Sequence, residues 1–136
     1  MSTEPKVLIV APVSVRWGDM DVFGHVNNSV YATYLEEARL RWFATFDGGW
    51  YDEAAAPVVA AQSFNFRLPI EWPAELLVEL TLERSGTSSM TLGFRMVSHD
   101  EPRKFYADGS TVLVWIDRTT GKSTALPPVV LAAISR

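Results

Sequence analysis

The spacing of apolar residues changes once along this chain, and that change limits the folds it can adopt. Between residues 31 and 46 apolar side chains recur every three or four positions, which is typical of a helix with one buried face. From residue 63 onward apolar and polar residues alternate in three runs, which indicate half-buried strands. A less regular run at residues 105–117 indicates a more central strand. One long helix beside such strands predicts an α+β fold with a five-stranded antiparallel sheet.

The flanking segments complete this prediction. A short strand-like run at residues 7–17 precedes the helix, and Pro12 predicts an edge position for it. Gly48-Gly49 is predicted to end the helix. Residues 85–89 read as a tight hairpin, and residues 126–134 as a short last helix. At 136 residues, the chain is predicted to be a single domain spanning residues 1–136.

Composition excludes several classes of function. The net charge is −4 and no run of Lys and Arg exceeds two residues, so the chain lacks the basic face that nucleic-acid binding needs. There is no cysteine, which excludes disulfides, thiolate metal sites and a cysteine nucleophile. The first residues do not resemble a signal peptide, and no stretch approaches 18 apolar residues. We therefore expect a cytoplasmic protein with no membrane or nucleic-acid partner.

The segment between the first strand and the helix carries the chemistry. It reads RWGDMDVFGHVNNSVY and places two acids, a histidine and an asparagine pair around two glycines. The asparagine pair before the helical stripe predicts a helix N-terminus, with Asn27 as the capping residue. Free N–H groups at a helix start stabilise developing negative charge. An upstream carboxylate that folds back toward them would complete an acyl-transfer site.

The same residues carry a family resemblance. The run D-x-x-G-H-V-N-N-x-x-Y, preceded by R-W-G-D, resembles the opening signature of hotdog-fold acyl-CoA thioesterases of the 4-hydroxybenzoyl-CoA thioesterase type. Later stretches at residues 68–76, 84–91 and 108–117 fit that family in order, so the resemblance covers roughly residues 7–132. It implies a hotdog fold, acyl-CoA as substrate, no cofactor, and a homodimer or homotetramer with sites at the subunit junction.

The resemblance also implies roles for individual residues. Asp21 would attack the thioester carbonyl or activate the attacking water, and the two routes stay open. Asn28 would hold the oxyanion through its backbone N–H. His25 could orient the loop or touch the thioester oxygen. Tyr31 matches the tyrosine that lines the acyl pocket.

Further positions would contact the substrate. Gly86, Ser88 and Ser89 fall where the family has a turn against the pantetheine arm, although Thr87 replaces its basic residue. Gly24 and Asn27 would shape the site. Phe64, with Phe23, Tyr31 and Trp42, is a candidate for lining the acyl pocket. The candidates for contacts to the phosphates of coenzyme A are Arg67, Arg84, Arg103 and Lys104.

Each assignment has a structural alternative. Asp21 could merely form an Asx turn that shapes the loop. Asp19, two residues away, is expected to be structural, with its side chain pointing to the opposite side. Gly24 is expected to permit a turn that other residues adopt at a cost. His25 could simply bond a carbonyl, and Tyr31 could belong to the core. A metal site is not expected, because Asp21 and His25 have no further histidine nearby.

Three functions remain open at this point. The leading hypothesis is hydrolysis of an acyl-CoA thioester to a carboxylic acid and free coenzyme A. The first alternative is a hotdog module that binds acyl-CoA without turnover, which need not keep an acid beside the carbonyl. The second is hydrolysis of acyl-carrier-protein thioesters, which would favour a basic rim that this sequence does not show.

Overall fold

The computed structural model describes residues 5–135. Five strands form one sheet: β1 (Lys6–Ser14), β2 (Ala56–Phe66), β3 (Glu75–Ser85), β4 (Ser89–Ser98) and β5 (Phe105–Ile116). A long helix, α1 (Val30–Phe43), connects β1 to β2, and a short helix, α2 (Pro128–Ile134), follows β5. The predicted α+β class and order of elements are therefore confirmed. Neither α1 nor α2 combines the length and hydropathy that a bilayer crossing requires.

All strand pairs in the sheet are antiparallel, in the order β1-β3-β4-β5-β2. β1 and β2 are therefore the two edges, and β5 is internal, as its weak alternation predicted. The position of Pro12 on an edge strand is confirmed, and its carbonyl accepts a hydrogen bond from Arg41 of α1. Ser14 at the end of β1 pairs with Glu75 at the start of β3. The β3–β4 turn consequently lies at the opposite end of the sheet from the segment that follows β1.

The helix lies across one face of the sheet through the predicted apolar stripe. All six stripe residues are buried: Tyr31, Tyr34, Leu35, Ala38, Trp42 and Phe46. On the outer side of the helix, Glu37 and Arg41 form an ion pair at 2.9 Å. The predicted end at Gly48-Gly49 is wrong, because α1 stops at Phe43 and the chain continues through turns in which the N–H groups of Thr45 and Phe46 bond back to Trp42 and Phe43.

Polar side chains occupy the centre of the sheet face that lies away from α1. The alternating residues of β3 and β4 that point there include Glu79, Thr81, Glu83 and Arg95, and Arg95 lies 4.0 Å from Glu79. Exposed apolar side chains lie along both edge strands, at Val7 and Val10 of β1 and also along β2. This strand begins at Ala56, earlier than the alternation from residue 63 predicted, and its Val58 and Val59 are exposed.

Candidate active site

A tight hairpin presents Asp21. The N–H of Asp21 donates to the carbonyl of His25 at 2.9 Å, and the N–H of Gly24 donates to the carbonyl of Asp21 at 3.1 Å. Gly24 has a φ of 80°, so a type I turn is closed here by a left-handed glycine. The expected role of Gly24 in the turn is confirmed. The N–H of Val26 then bonds to Ile70 at 2.8 Å, which fastens the hairpin to the segment after β2.

One oxygen of the Asp21 carboxylate accepts a hydrogen bond within this turn. Its Oδ1 accepts a hydrogen bond from the N–H of Phe23 at 2.9 Å, which is the Asx turn that the sequence offered as the structural alternative. Its Oδ2 has no hydrogen-bond partner among residues 5–135. The side chain is half-buried. One oxygen is therefore fixed by the loop, and the other remains available to a ligand.

The start of α1 supplies an unused donor. The carbonyl of Asp19 accepts from the N–H of Asn27 at 3.0 Å, and the side-chain oxygen of Asn27 accepts from the N–H of Ser29 at 2.9 Å. The N–H of Val30 bonds to the carbonyl of Asn27. Between these bonds, the N–H of Asn28 has no partner in the part of the chain that the structure describes. The N–H of Asn28 is thus an unpaired donor in the turn that directly precedes α1.

The position of the helix cap differs from the prediction. The residue that flanks α1 is Ser29, not Asn27, and the side chain of Ser29 makes no capping bond to the helix. Asn27 instead closes a turn one step earlier, because its carbonyl and its side-chain oxygen both accept N–H groups before the helix begins. The predicted cap at Asn27 is therefore wrong, and Asn27 accepts the N–H groups of Ser29 and Val30 in a turn that leads into the helix.

These residues meet at a cavity of about 380 Å³. Five residues that the sequence singled out line this side of it, namely Asp21, Phe23, His25, Asn28 and Tyr31, together with Val26. The opposite wall comes from the end of β2 and the segment after it, through Phe66, Arg67, Leu68 and Pro69. Asp21, which has one unbonded carboxylate oxygen, and Asn28, which has an unbonded N–H, thus line the same cavity. Acyl transfer needs an acid and an oxyanion donor close together.

His25 and Tyr31 occupy different depths of this site. The Nε2 atom of His25 lies 3.8 Å from Glu71 Oε1, an ion pair when the imidazole is protonated, and His25 is partly exposed. Tyr31 is buried and packs edge-on against Phe66, with ring centroids 4.9 Å apart. Burial raises the pKa of the Tyr31 hydroxyl, against an opposing hydrogen bond from the backbone of Ile70. Tyr31 therefore belongs to the core and also lines this cavity. Its contact with an acyl group stays a prediction.

Asp19 is built into the interior, as expected of the structural acid of the pair. It is 3% exposed and accepts hydrogen bonds from the N–H of Arg16 at 2.9 Å and from the hydroxyl of Tyr34 at 2.7 Å. The Arg16 guanidinium lies 3.1 Å from its other oxygen. Burial alone would raise the pKa of Asp19, but the bonds from Arg16 and Tyr34 outweigh it and hold the pKa below its ordinary value. Asp19 thus ties the loop to α1.

Several other predicted residues lie away from the cavity. Phe64 is not on its wall, because its ring stacks on Phe66 and contacts Phe94 instead. Trp42 packs against Phe43 and Phe46 in the core. Gly24 and Asn27 shape the loop without lining the cavity. Gly86, Ser88 and Ser89 lie in and beside the β3–β4 turn, at the far end of the sheet, so within one chain they do not meet Asp21.

Sequence reasoning missed the wall that follows β2. The sequence suggested Arg67 for phosphate contacts only, yet it lines the cavity. Its guanidinium donates hydrogen bonds to both carboxylate oxygens of Asp108 in β5, at 3.0 and 3.1 Å. Leu68 and Pro69 also border a neighbouring groove that contains Lys104. The available signal was weak: the segment 66–70 directly follows a strand, but the sequence does not state which loop its end approaches.

No group of three or more His, Cys, Asp or Glu side chains among residues 5–135 has the geometry of a metal site.

Known proteins resemble this chain over most of its length. A solved structure from Pseudomonas aeruginosa, the PA2801 protein, is 41% identical with a TM-score of 0.85 and covers 95% of this chain and 99% of its own. XC229 of Xanthomonas campestris, a proposed acyl-CoA thioesterase, is 47% identical with a TM-score of 0.79, over 88% of this chain and 99% of that one. The long-chain acyl-CoA thioesterase FadM of Escherichia coli is 30% identical over 84% of this chain and 87% of its own.

These likenesses confirm that the α+β fold is the hotdog fold, as the resemblance implied. The narrower 4-hydroxybenzoyl-CoA type stays a prediction. Residues 15–134 match the thioesterase-like superfamily as a whole. Because that match spans nearly the entire chain, this protein belongs to the thioesterase-like superfamily.

Proposed function

We propose that this chain is an acyl-CoA thioesterase, in which water cleaves an acyl thioester to a carboxylic acid and coenzyme A. The observation that carries the proposal is that Asp21, with an unbonded carboxylate oxygen, and Asn28, with an unbonded N–H, line one cavity. Membership of the thioesterase-like superfamily supports thioester hydrolysis, and the likeness to FadM supports an acyl-CoA substrate.

Asp21 and Asn28 each have a role in this proposal, and two routes are open to Asp21. As a general base, Asp21 takes a proton from water, and the water oxygen bonds to the thioester carbon. As a nucleophile, its oxygen bonds to that carbon directly and forms a mixed anhydride, which water then hydrolyses. In both routes the carbonyl oxygen gains negative charge, which the N–H of Asn28 stabilises. The carbon–sulfur bond then breaks, and the thiolate of coenzyme A leaves and takes up a proton.

The cleanest test is a panel of acyl-CoA esters of rising chain length, with benzoyl-CoA and phenylacetyl-CoA added. We expect release of free thiol, measured with a chromogenic thiol reagent, from at least one of them. Binding without thiol release across the panel would replace the hydrolase with the acyl-CoA-binding module. Release from acyl-carrier-protein thioesters alone would instead assign the substrate to a carrier protein.

We also propose that β2 pairs with β2 of a second copy to form at least a homodimer. β2 is an 11-residue edge strand with exposed valines, and open apolar edges of this kind pair with other chains. Antiparallel pairing about a two-fold axis would reverse the partner's sheet. The partner's β3–β4 turn, with Gly86, Ser88 and Ser89, would then lie at the same end as Asp21. This arrangement accounts for the separation of those residues within one chain.

Light scattering at micromolar concentration is expected to give a dimer or tetramer. Val59→Lys places like charges on the pairing edge, so it is expected to shift the protein to monomer. Val10→Lys is the matched control, because Val10 lies on the other edge strand with a similar exposure, 46% against 42% for Val59. A parent protein with only the monomer mass would refute the pairing, and dissociation by both variants alike would refute the choice of edge.

A further inference from the structure

A second cavity, of about 520 Å³, also borders Asp21. Its other walls come from the segment before the hairpin, the hairpin itself and the segment before β3: Trp17, Gly18, Met20, Val22, Gly24 and Trp72. Asp21 is the one residue common to the linings of this cavity and of the active-site cavity. We call this second space the Trp17–Trp72 groove.

The two spaces differ in chemistry. The active-site cavity is of mixed character: beside apolar and aromatic residues such as Phe23 and Leu68, it carries His25, Asn28 and Arg67 in addition to Asp21, so it offers charges and hydrogen-bond partners. The Trp17–Trp72 groove is lined by two indoles, a thioether, an isopropyl group and two glycines, and Asp21 is the sole charged residue among them. A hydrocarbon gains by entering such a groove, while a polar or charged group does not.

The apolar walls of the groove are open to solvent within the single chain. Trp17 is 73% exposed and Val22 is 94% exposed, although both side chains are large and apolar. Trp72, in the segment before β3, is 47% exposed. Clustered exposed apolar side chains mark binding surfaces more often than chance placement. The position of this cluster, directly beside Asp21, connects it to the chemistry of that residue.

We propose that the Trp17–Trp72 groove binds the hydrocarbon part of the acyl group, an inference that rests on the proposed function. A thioester carbon held at Asp21 carries two substituents that diverge, the acyl chain and the sulfur-linked arm of coenzyme A. Two spaces that diverge from Asp21 can receive one substituent each. The polarity of each space decides which substituent it receives. The arm of coenzyme A, which carries amides and phosphates, lies in the cavity with Asn28 and Arg67. The hydrocarbon lies in the groove, between Trp17 and Trp72.

Gly18 is a lining position of this groove at which a larger side chain can be introduced. A Cβ built at Gly18 would meet no atom within 4 Å outside its chain neighbours, and its φ is not in the left-handed region. A larger side chain can therefore stand there without strain, and would occupy space that the acyl chain needs. Gly18 is thus the specificity-determining position, with Trp17 as the wall beside it.

The test uses two thioethers of coenzyme A that cannot be hydrolysed, S-ethyl-CoA and S-dodecyl-CoA, titrated by calorimetry. The parent is expected to bind the dodecyl compound more tightly than the ethyl compound. Gly18→Leu is expected to lose at least about ten times more affinity for the dodecyl than for the ethyl compound, the worth of about two buried methylene groups. Gly49→Leu is the matched control, since Gly49 also has open space around it and lies outside the groove.

Trp17→Ala provides a second variant, which removes a wall instead of filling the space, and is expected to weaken binding of the dodecyl compound selectively. Equal affinities of the parent for both thioethers, or a loss in Gly18→Leu that is independent of chain length, would overturn the inference. A change of oligomeric mass in Trp17→Ala with chain-length preference intact would also overturn it, and would assign the groove to contact with a second copy.

The outcomes separate this inference from the proposed function. Selective loss of dodecyl affinity in a protein that hydrolyses no acyl-CoA would uphold the groove and refute the hydrolase. Hydrolysis whose chain-length profile is the same in Gly18→Leu as in the parent would uphold the hydrolase and refute the groove.

Discussion

Asp21→Asn is expected to lower turnover at least about a hundredfold, the smaller contribution expected of a general base. Fold, oligomeric state and acyl-CoA affinity should be kept, because the carboxamide oxygen can still accept the N–H of Phe23 in the Asx turn. The change thus removes the basicity and the charge while leaving the loop in place. Steady-state thiol release, with affinity measured separately, reports this split between chemistry and binding.

Asp117→Asn is the matched control for this variant. Asp117 forms an Asx turn of the same kind, with its Oδ1 accepting the N–H of Thr119 at 2.8 Å, but it lies after β5 and outside the cavity. We expect turnover of Asp117→Asn close to that of the parent. Full activity of Asp21→Asn would show that Asp21 only shapes the turn, and would require another group to carry the reaction.

Asp19→Asn is expected to have the opposite effect: it should lower the free energy of unfolding and leave turnover largely unchanged. The carboxylate accepts a backbone N–H, a tyrosine hydroxyl and a guanidinium bond, and an amide cannot accept all of them. Hydrogen bonds to a charged acceptor suggest a loss of about 2–3 kcal/mol in the free energy of unfolding. Urea unfolding monitored by tryptophan fluorescence measures it. The protein that remains folded should keep most of its turnover.

The pH dependence provides an independent check. Because the pKa of Asp19 is lower in the folded state than its ordinary value, ionised Asp19 stabilises the fold above that ordinary value. This stabilisation is lost as the pH falls through the folded-state pKa. The difference in stability between parent and Asp19→Asn should thus be constant near neutrality and shrink in acid. Asp100→Asn, at a side chain 93% exposed, should show neither effect. A difference that grows in acid would contradict the assignment.

Periodicity was sufficient to predict the helix and most strands, because those elements bury one face and expose the other. β2 shows where it fails. Its first half, residues 56–62, reads APVVAAQ and has no alternation, since an edge strand exposed along much of its length has no buried face to enforce one. The helix end was misplaced because glycines mark where a helix cannot continue, whereas the chain had already turned at Phe43.

The candidate site was predictable where its residues are close in sequence. Asp21, His25, Asn28 and Tyr31 come from one short segment, and the spacing of Asp21 and Gly24 is itself the signature of the turn that positions them. The wall from Phe66 to Pro69 was not predictable, because it depends on β1 pairing with β3 and not with its sequence neighbour β2. Sequence patterns indicate which strands exist but do not fix their order in the sheet.

The Asx turn at Asp21 has a consequence for how this fold can diverge. The loop requires an oxygen acceptor at that position, but it does not require a charge. The oxygen acceptor of Asp21 therefore sets the shape of the loop, and its charge and basicity set the proposed reactivity. A lineage that exchanged the acid for its amide could give up catalysis in one step without a compensating change elsewhere, and would retain a ready-made receptor for the ligand it formerly consumed.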